Sequence, residues 1–176
     1  MLTSHEQASR AVALWDIQES LLQSYRALFV TAESIVFGLA ATIMTSQPRS
    51  CLVLGLLGLS ILWIWHEVCK NRATDVTFAQ WLAVHAEEGI ETPAPVTALK
   101  SFQDNEVITV GGRRVWRRGP SIRETGGVKI ERDERYDRML QSKSRRRMEF
   151  QLPALFLGLW IVVSFFAILS IIPHAS

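Results

Sequence analysis

Helix-breaking residues are scarce where they would matter most, since neither glycine nor proline occurs between Ser4 and Gly38. Nothing in that stretch stops a helix. Basic charge is missing from three long runs. Residues 27–45, 51–69 and 152–172 contain Glu33, His66 and Glu67 as their only acids or imidazoles, and no Lys or Arg. Each run is about 20 residues, the length that crosses a ~30 Å hydrocarbon core as a helix. Three such runs exclude an ordinary soluble domain and predict an all-α membrane protein with three transmembrane helices.

Cysteine is nearly absent. Cys51 and Cys69 stand at opposite ends of the second run, roughly 27 Å apart on one helix. That separation rules out a bond within one chain, and both read as small buried apolar residues. With four histidines and two separated cysteines, no metal cluster is expected. The sequence contains no His-Glu-x-x-His, Cys-x-x-Cys or Gly-x-x-x-x-Gly-Lys. His85-Ala86-Glu87 has half of a zinc-deaminase signature, without its Pro-Cys-x-x-Cys half. These absences predict a chain without enzymatic activity, cofactor or metal.

Basic residues are also missing from particular places. Of 19 Lys and Arg, those outside 70–147 are Arg10 and Arg26 before the first run and Arg49 between the first two. None follows the third run. Basic loops stay cytoplasmic, which predicts a cytoplasmic N-terminus, a cytoplasmic 70–151 segment and an external C-terminus. The opening Met1-Leu2-Thr3-Ser4-His5-Glu6 lacks the basic n-region of a signal peptide, so the first run is expected to stay as an anchor.

The expected organisation follows. Residues 1–26 form a cytoplasmic amphipathic helix, with Ser4 and Gln7 as a capping box and Leu14, Ile17, Leu21, Leu22 and Tyr25 at helical spacing. Residues 27–69 form a transmembrane hairpin closed by a turn around Pro48. Residues 70–151 form a small mixed cytoplasmic insert. Within it, Thr77 would cap a short helix ending at Gly89, with Phe78, Trp81, Leu82 and His85 on one face. Residues 106–118 would form a hairpin turning at Gly111-Gly112. Residues 128–151 would form a long charged helix with Glu131–Arg135 and Glu134–Arg138 pairs. Residues 152–172 are the third span, with Pro153 at its start, and 173–176 the external tail. Long juxtamembrane helices from both ends of the chain would stand on the cytoplasmic face.

Several residues invite a role. Ser34, Gly38 and Thr42 form a small-xxx-small stripe on the first span, and Gly55 and Gly58 give the second a thin face. Small residues let helix backbones approach in lipid, so the two stripes are expected to pack on each other. Trp63 and Trp65 suit an interfacial belt. Glu33 is a carboxylate inside a span, where such groups are costly and usually paired. In a hairpin centred near residue 48 its natural partner is His66. The pair reads either as a structural lock or as a proton- or ion-responsive site. Lys143, Arg145, Arg146 and Arg147 precede the third span and suit anionic lipid headgroups. Arg113, Arg114, Arg117 and Arg118 surround Trp116, where lipid or inter-subunit contact fits better than nucleic acid.

The stretch Leu14-Trp15-Asp16-Ile17-Gln18-Glu19 is followed by Ser24-Tyr25-Arg26 at the first span. Trp65-His66-Glu67-Val68-Cys69-Lys70-Asn71-Arg72 leaves the second, ahead of Phe78, Trp81 and Glu87-Glu88-Gly89. Over residues 12–90 this pattern resembles the RipA-family octameric bacterial membrane proteins. The resemblance implies a bacterial cytoplasmic-membrane homo-oligomer, an octamer, without established enzymatic chemistry. The expected function is a homo-oligomeric membrane scaffold that presents a cytoplasmic platform to an unidentified protein partner. The alternative is a channel or membrane-perturbing effector of a bacterial defence or stress system. The spans' few polar groups (Thr31, Glu33, Ser34, Thr42, Ser60, Ser164 and Ser170) argue against a wide wet pore.

Overall fold

The computed structural model describes residues 4–117, 128–130 and 143–171. Helix α1 covers Ser4–Ile43 and α2 covers Pro48–Glu87, each 40 residues without interruption. A short helix α3, Pro95–Gln103, is followed by strands β1 (Ile108–Val110), β2 (Arg113–Arg117) and β3 (Val128–Ile130). Helix α4, Lys143–Ile171, closes the described chain and continues through Pro153. The helical segments His5–Ile43, Pro48–Glu87 and Gln151–Ile171 each contain a stretch long and apolar enough to cross a membrane.

The chain divides into two units. The first comprises Met1–Gln23 and Lys70–Lys143, the second Ser24–Cys69 and Ser144–Ser176. Helices α1 and α2 each contribute to both.

In the first unit the core gathers Leu14 of α1, Phe78, Trp81 and Leu82 of α2, Leu99 and Phe102 of α3, and Ile108, Val110 and Val115 of the sheet. Phe78 and Phe102 stack with ring centroids 4.2 Å apart. Burying each such side chain contributes about 1.5–3 kcal/mol. Ala11 packs beside Ala83 and Ala86 in a smaller cluster. The expected face of Phe78, Trp81, Leu82 and His85 is buried throughout.

The separate helix expected from Thr77 to Gly89 is instead the continuation of α2. Nothing between Lys70 and Thr77 breaks a helix. Thr74 and Thr77 donate their hydroxyls to the carbonyls of Lys70 and Ala73, one turn back, instead of capping a new start. The stop is at Gly89, whose φ of 74° is the left-handed conformation a helix terminator needs. There the Gly89 amide bonds Ala86 O and the Ile90 amide bonds His85 O, the paired bonds of a Schellman ending. Helix α3 ends the same way on Asn105, at φ 62°, with bonds from Asn105 N to Phe102 O and from Glu106 N to Ser101 O.

The hairpin forms as expected. Gly111 and Gly112 both have positive φ, as a two-residue turn matching strand twist requires. Val110 pairs with Arg113, and Ile108 with Val115. The neighbour it needs is β3, antiparallel to β2. Val128–Ile130 is therefore a strand and not the start of the expected long helix. Both Glu–Arg pairs of that helix, and Gly126-Gly127, fall outside the described residues.

In the second unit, Ser46 and Gln47 amides bond Ile43 O to close the turn. Pro48 opens α2, where a missing amide hydrogen costs nothing.

Candidate functional site

The second unit is organised around Trp160 of α4. Its indole Nε1 donates to Glu33 Oε2 of α1 at 2.8 Å, and Phe37 meets it edge-on with centroids 5.6 Å apart. On α2, a Cβ on Gly58 would collide with the indole ring, and one on Gly55 would lie 3.4 Å from Ser164 Oγ. Trp160 is 1% exposed. One aromatic side chain of the third span thus sits in a glycine notch of the second and hydrogen-bonds a carboxylate of the first.

Two expectations change accordingly. Glu33 is fully buried, but its hydrogen bond runs to Trp160 and not to His66. The reason is register. Phe29 stacks on Trp65 at 6.1 Å, so His66 lies about one helical turn away from the level of Glu33. His66 makes other interactions. Gly55 and Gly58 face the third span, not the stripe on the first. Ser34, Gly38 and Thr42 point outward, and a Cβ on Gly38 would meet nothing within 4 Å.

The tryptophans at the end of the second run also divide. Trp63 is 72% exposed, whereas Trp65 is buried between Phe29 and Phe156. Cys51 and Cys69 are buried and form no disulfide. Lys143, Arg145, Arg146 and Arg147 open α4, and their side chains lie outside the described residues, as does Arg118.

A second polar cluster, which sequence reading did not single out, lies in the first unit around Asp75 of α2. Gln103 Nε2 of α3 donates to Asp75 Oδ2 at 3.0 Å. Arg117 of β2 places Nη1 3.5 Å from Asp75 Oδ1, a charge contact without hydrogen-bond geometry, since Oδ1 has no hydrogen-bond partner. Arg117 Nη2 reaches Asn71 O and Oδ1 at 3.4 and 3.2 Å, and Arg72 Nη1 lies 3.8 Å from Asp75 Oδ2. Burial pushes the Asp75 carboxyl above the ordinary aspartate value, and Arg117, Gln103 and Arg72 offset part of that rise. Spacing carried no signal here, because Asp75, Gln103 and Arg117 are brought together by three different elements.

No protein-family model matches the chain, and neither a curated protein nor a solved structure does. The likeness to the RipA family therefore rests on the residues quoted for it. Among the described residues no group of three His, Cys, Asp or Glu side chains could hold a metal ion.

Proposed function

We propose that the chain is a non-enzymatic, homo-oligomeric scaffold of a bacterial inner membrane. Its N-terminus and first unit are cytoplasmic and its C-terminus is periplasmic. The first unit is the platform for a cytoplasmic protein partner, and the basic residues opening α4 lie at anionic headgroups. An octameric ring is the form that the family resemblance suggests.

The observation that carries this reading is what α1 leaves uncovered. In the second unit its small-residue stripe faces outward with open space at Gly38, the surface on which helices associate closely in lipid. In the first unit Ile17 is 56% and Leu21 39% exposed, along the edge of the helix face that buries Leu14 and Leu22. An apolar strip left exposed beside the buried face of a helix outside a bilayer suits a partner. The hydroxyls of Thr31, Ser34, Thr42, Ser60 and Ser170 bond carbonyls of their own helices, which favours packing over a wet lumen.

Gly38→Leu tests the reading. It fills the open stripe without touching the chain's own core, so monomer folding is retained. The number of copies per particle in lipid nanodiscs, read by native mass spectrometry, is expected to fall. An unchanged copy number would remove the stripe from the interface.

A further inference from the structure

We propose that Glu33 is a proton-binding site within the membrane, with an exchangeable proton carried on Oε1. The inference rests on the three apolar helices crossing a bilayer.

Glu33 has no exposed surface. Oε2 accepts the Trp160 hydrogen bond, while Oε1 is equally buried and has no hydrogen-bond partner. A carboxylate with a single hydrogen bond in an apolar setting is among the costliest arrangements a protein can hold. Whatever Oε1 takes must supply positive charge or a hydrogen-bond donor.

The neighbourhood limits the choice. The hydroxyls of Thr31 and Ser34, beside Glu33 on α1, are turned to the carbonyls of Ala27 and Val30. A magnesium or calcium ion demands six or more oxygens, and no cluster of carboxylates or imidazoles that could hold one occurs among the described residues. A proton needs one oxygen.

Nor do the described residues of the three apolar runs place a Lys or Arg beside Glu33 as counter-charge. From Gln151 to Ile171, α4 carries no acid or base. On α2 the titratable groups of the apolar run are Cys51 at one end and His66 and Glu67 at the other. On α1 the nearest is Arg26, about two turns before Glu33. With the proton on Oε1, Oε2 remains the acceptor for the indole and neither oxygen carries a buried charge.

Glu33→Gln preserves this geometry, since the amide keeps a carbonyl for Trp160 and places an N–H where the proton would be. The test is infrared difference spectroscopy on the full chain in lipid nanodiscs at neutral pH, wild type minus E33Q. The expected result is a carboxylic-acid carbonyl band, absent from E33Q, that shifts on transfer to deuterium oxide. Ionised-carboxylate bands alone would overturn the proposal, and so would an acid band that deuterium oxide leaves unmoved. Should E33Q fail to fold, carboxyl-labelled glutamate in wild type and in Glu33→Asp takes its place: the acid band must shift with the label in wild type and not in E33D, and any other result contradicts the assignment. A chain that does not enter nanodiscs would instead contradict the membrane reading, a separate outcome.

Discussion

At the scale of single residues, Trp160 and Asp75 show how a few polar atoms fix each unit. The Trp160 indole needs both an acceptor and room, and Glu33 and Gly58 supply one each. Gly58→Ala introduces a methyl group into the ring, and overpacking of this kind costs about 1–3 kcal/mol. The expected outcome is a lower unfolding temperature in detergent, with a shifted tryptophan emission spectrum. Wild-type values for both would show that Trp160 does not occupy the notch.

Asp75 makes a prediction with a definite sign. Its folded carboxyl binds protons more tightly than an ordinary aspartate, so its contribution to stability is greatest below the unfolded value of about 3.9. That contribution is lost as pH rises through the folded value. Asp75→Asn should flatten this part of the pH–stability curve. Thermal unfolding of both proteins across the mildly acidic range checks it, and parallel curves would contradict the assignment.

At the scale of elements, much was legible because local chemistry decides it. Three runs of membrane-spanning length without Lys or Arg announce three apolar helices. Gly111-Gly112 between β-prone residues announces the hairpin turn, since both positions have positive φ. Gly89 marks a helix end, though the helix it ends begins at Pro48. What was illegible depends on tertiary placement. Val128–Ile130 is three residues long, too short for periodicity to show, and is a strand because β2 offers it an edge. The partner of Glu33 was misjudged because a shift of one turn between packed helices replaces every opposing side chain. The outward direction of Ser34, Gly38 and Thr42 is likewise set by which face Trp160 draws inward.

Arg117 belongs to this scale, since it joins β2 to α2. Arg117→Ala removes the charge facing Asp75 and the bonds to Asn71, a loss of about 2 kcal/mol. Faster amide hydrogen exchange is expected in β1 and β2, with the 51–69 run unaffected. Unchanged exchange in the sheet would show that its apolar face alone holds it.

At the scale of the whole molecule, the chain has two folded units and an apolar surface that one copy leaves uncovered. Lipid accounts for the uncovered face of the spans, including Trp63, Leu56 and Ile161. It does not account for Ile17, about 15 Å before the apolar run begins at residue 27 and so beyond the headgroup layer. The proposed self-association would cover both that position and the small-residue stripe, and it is the central claim. The most direct test is the mass of the intact protein in lipid nanodiscs, by native mass spectrometry. The account predicts a single defined multiple of the 19.9 kDa chain. A uniform population of single copies would contradict it.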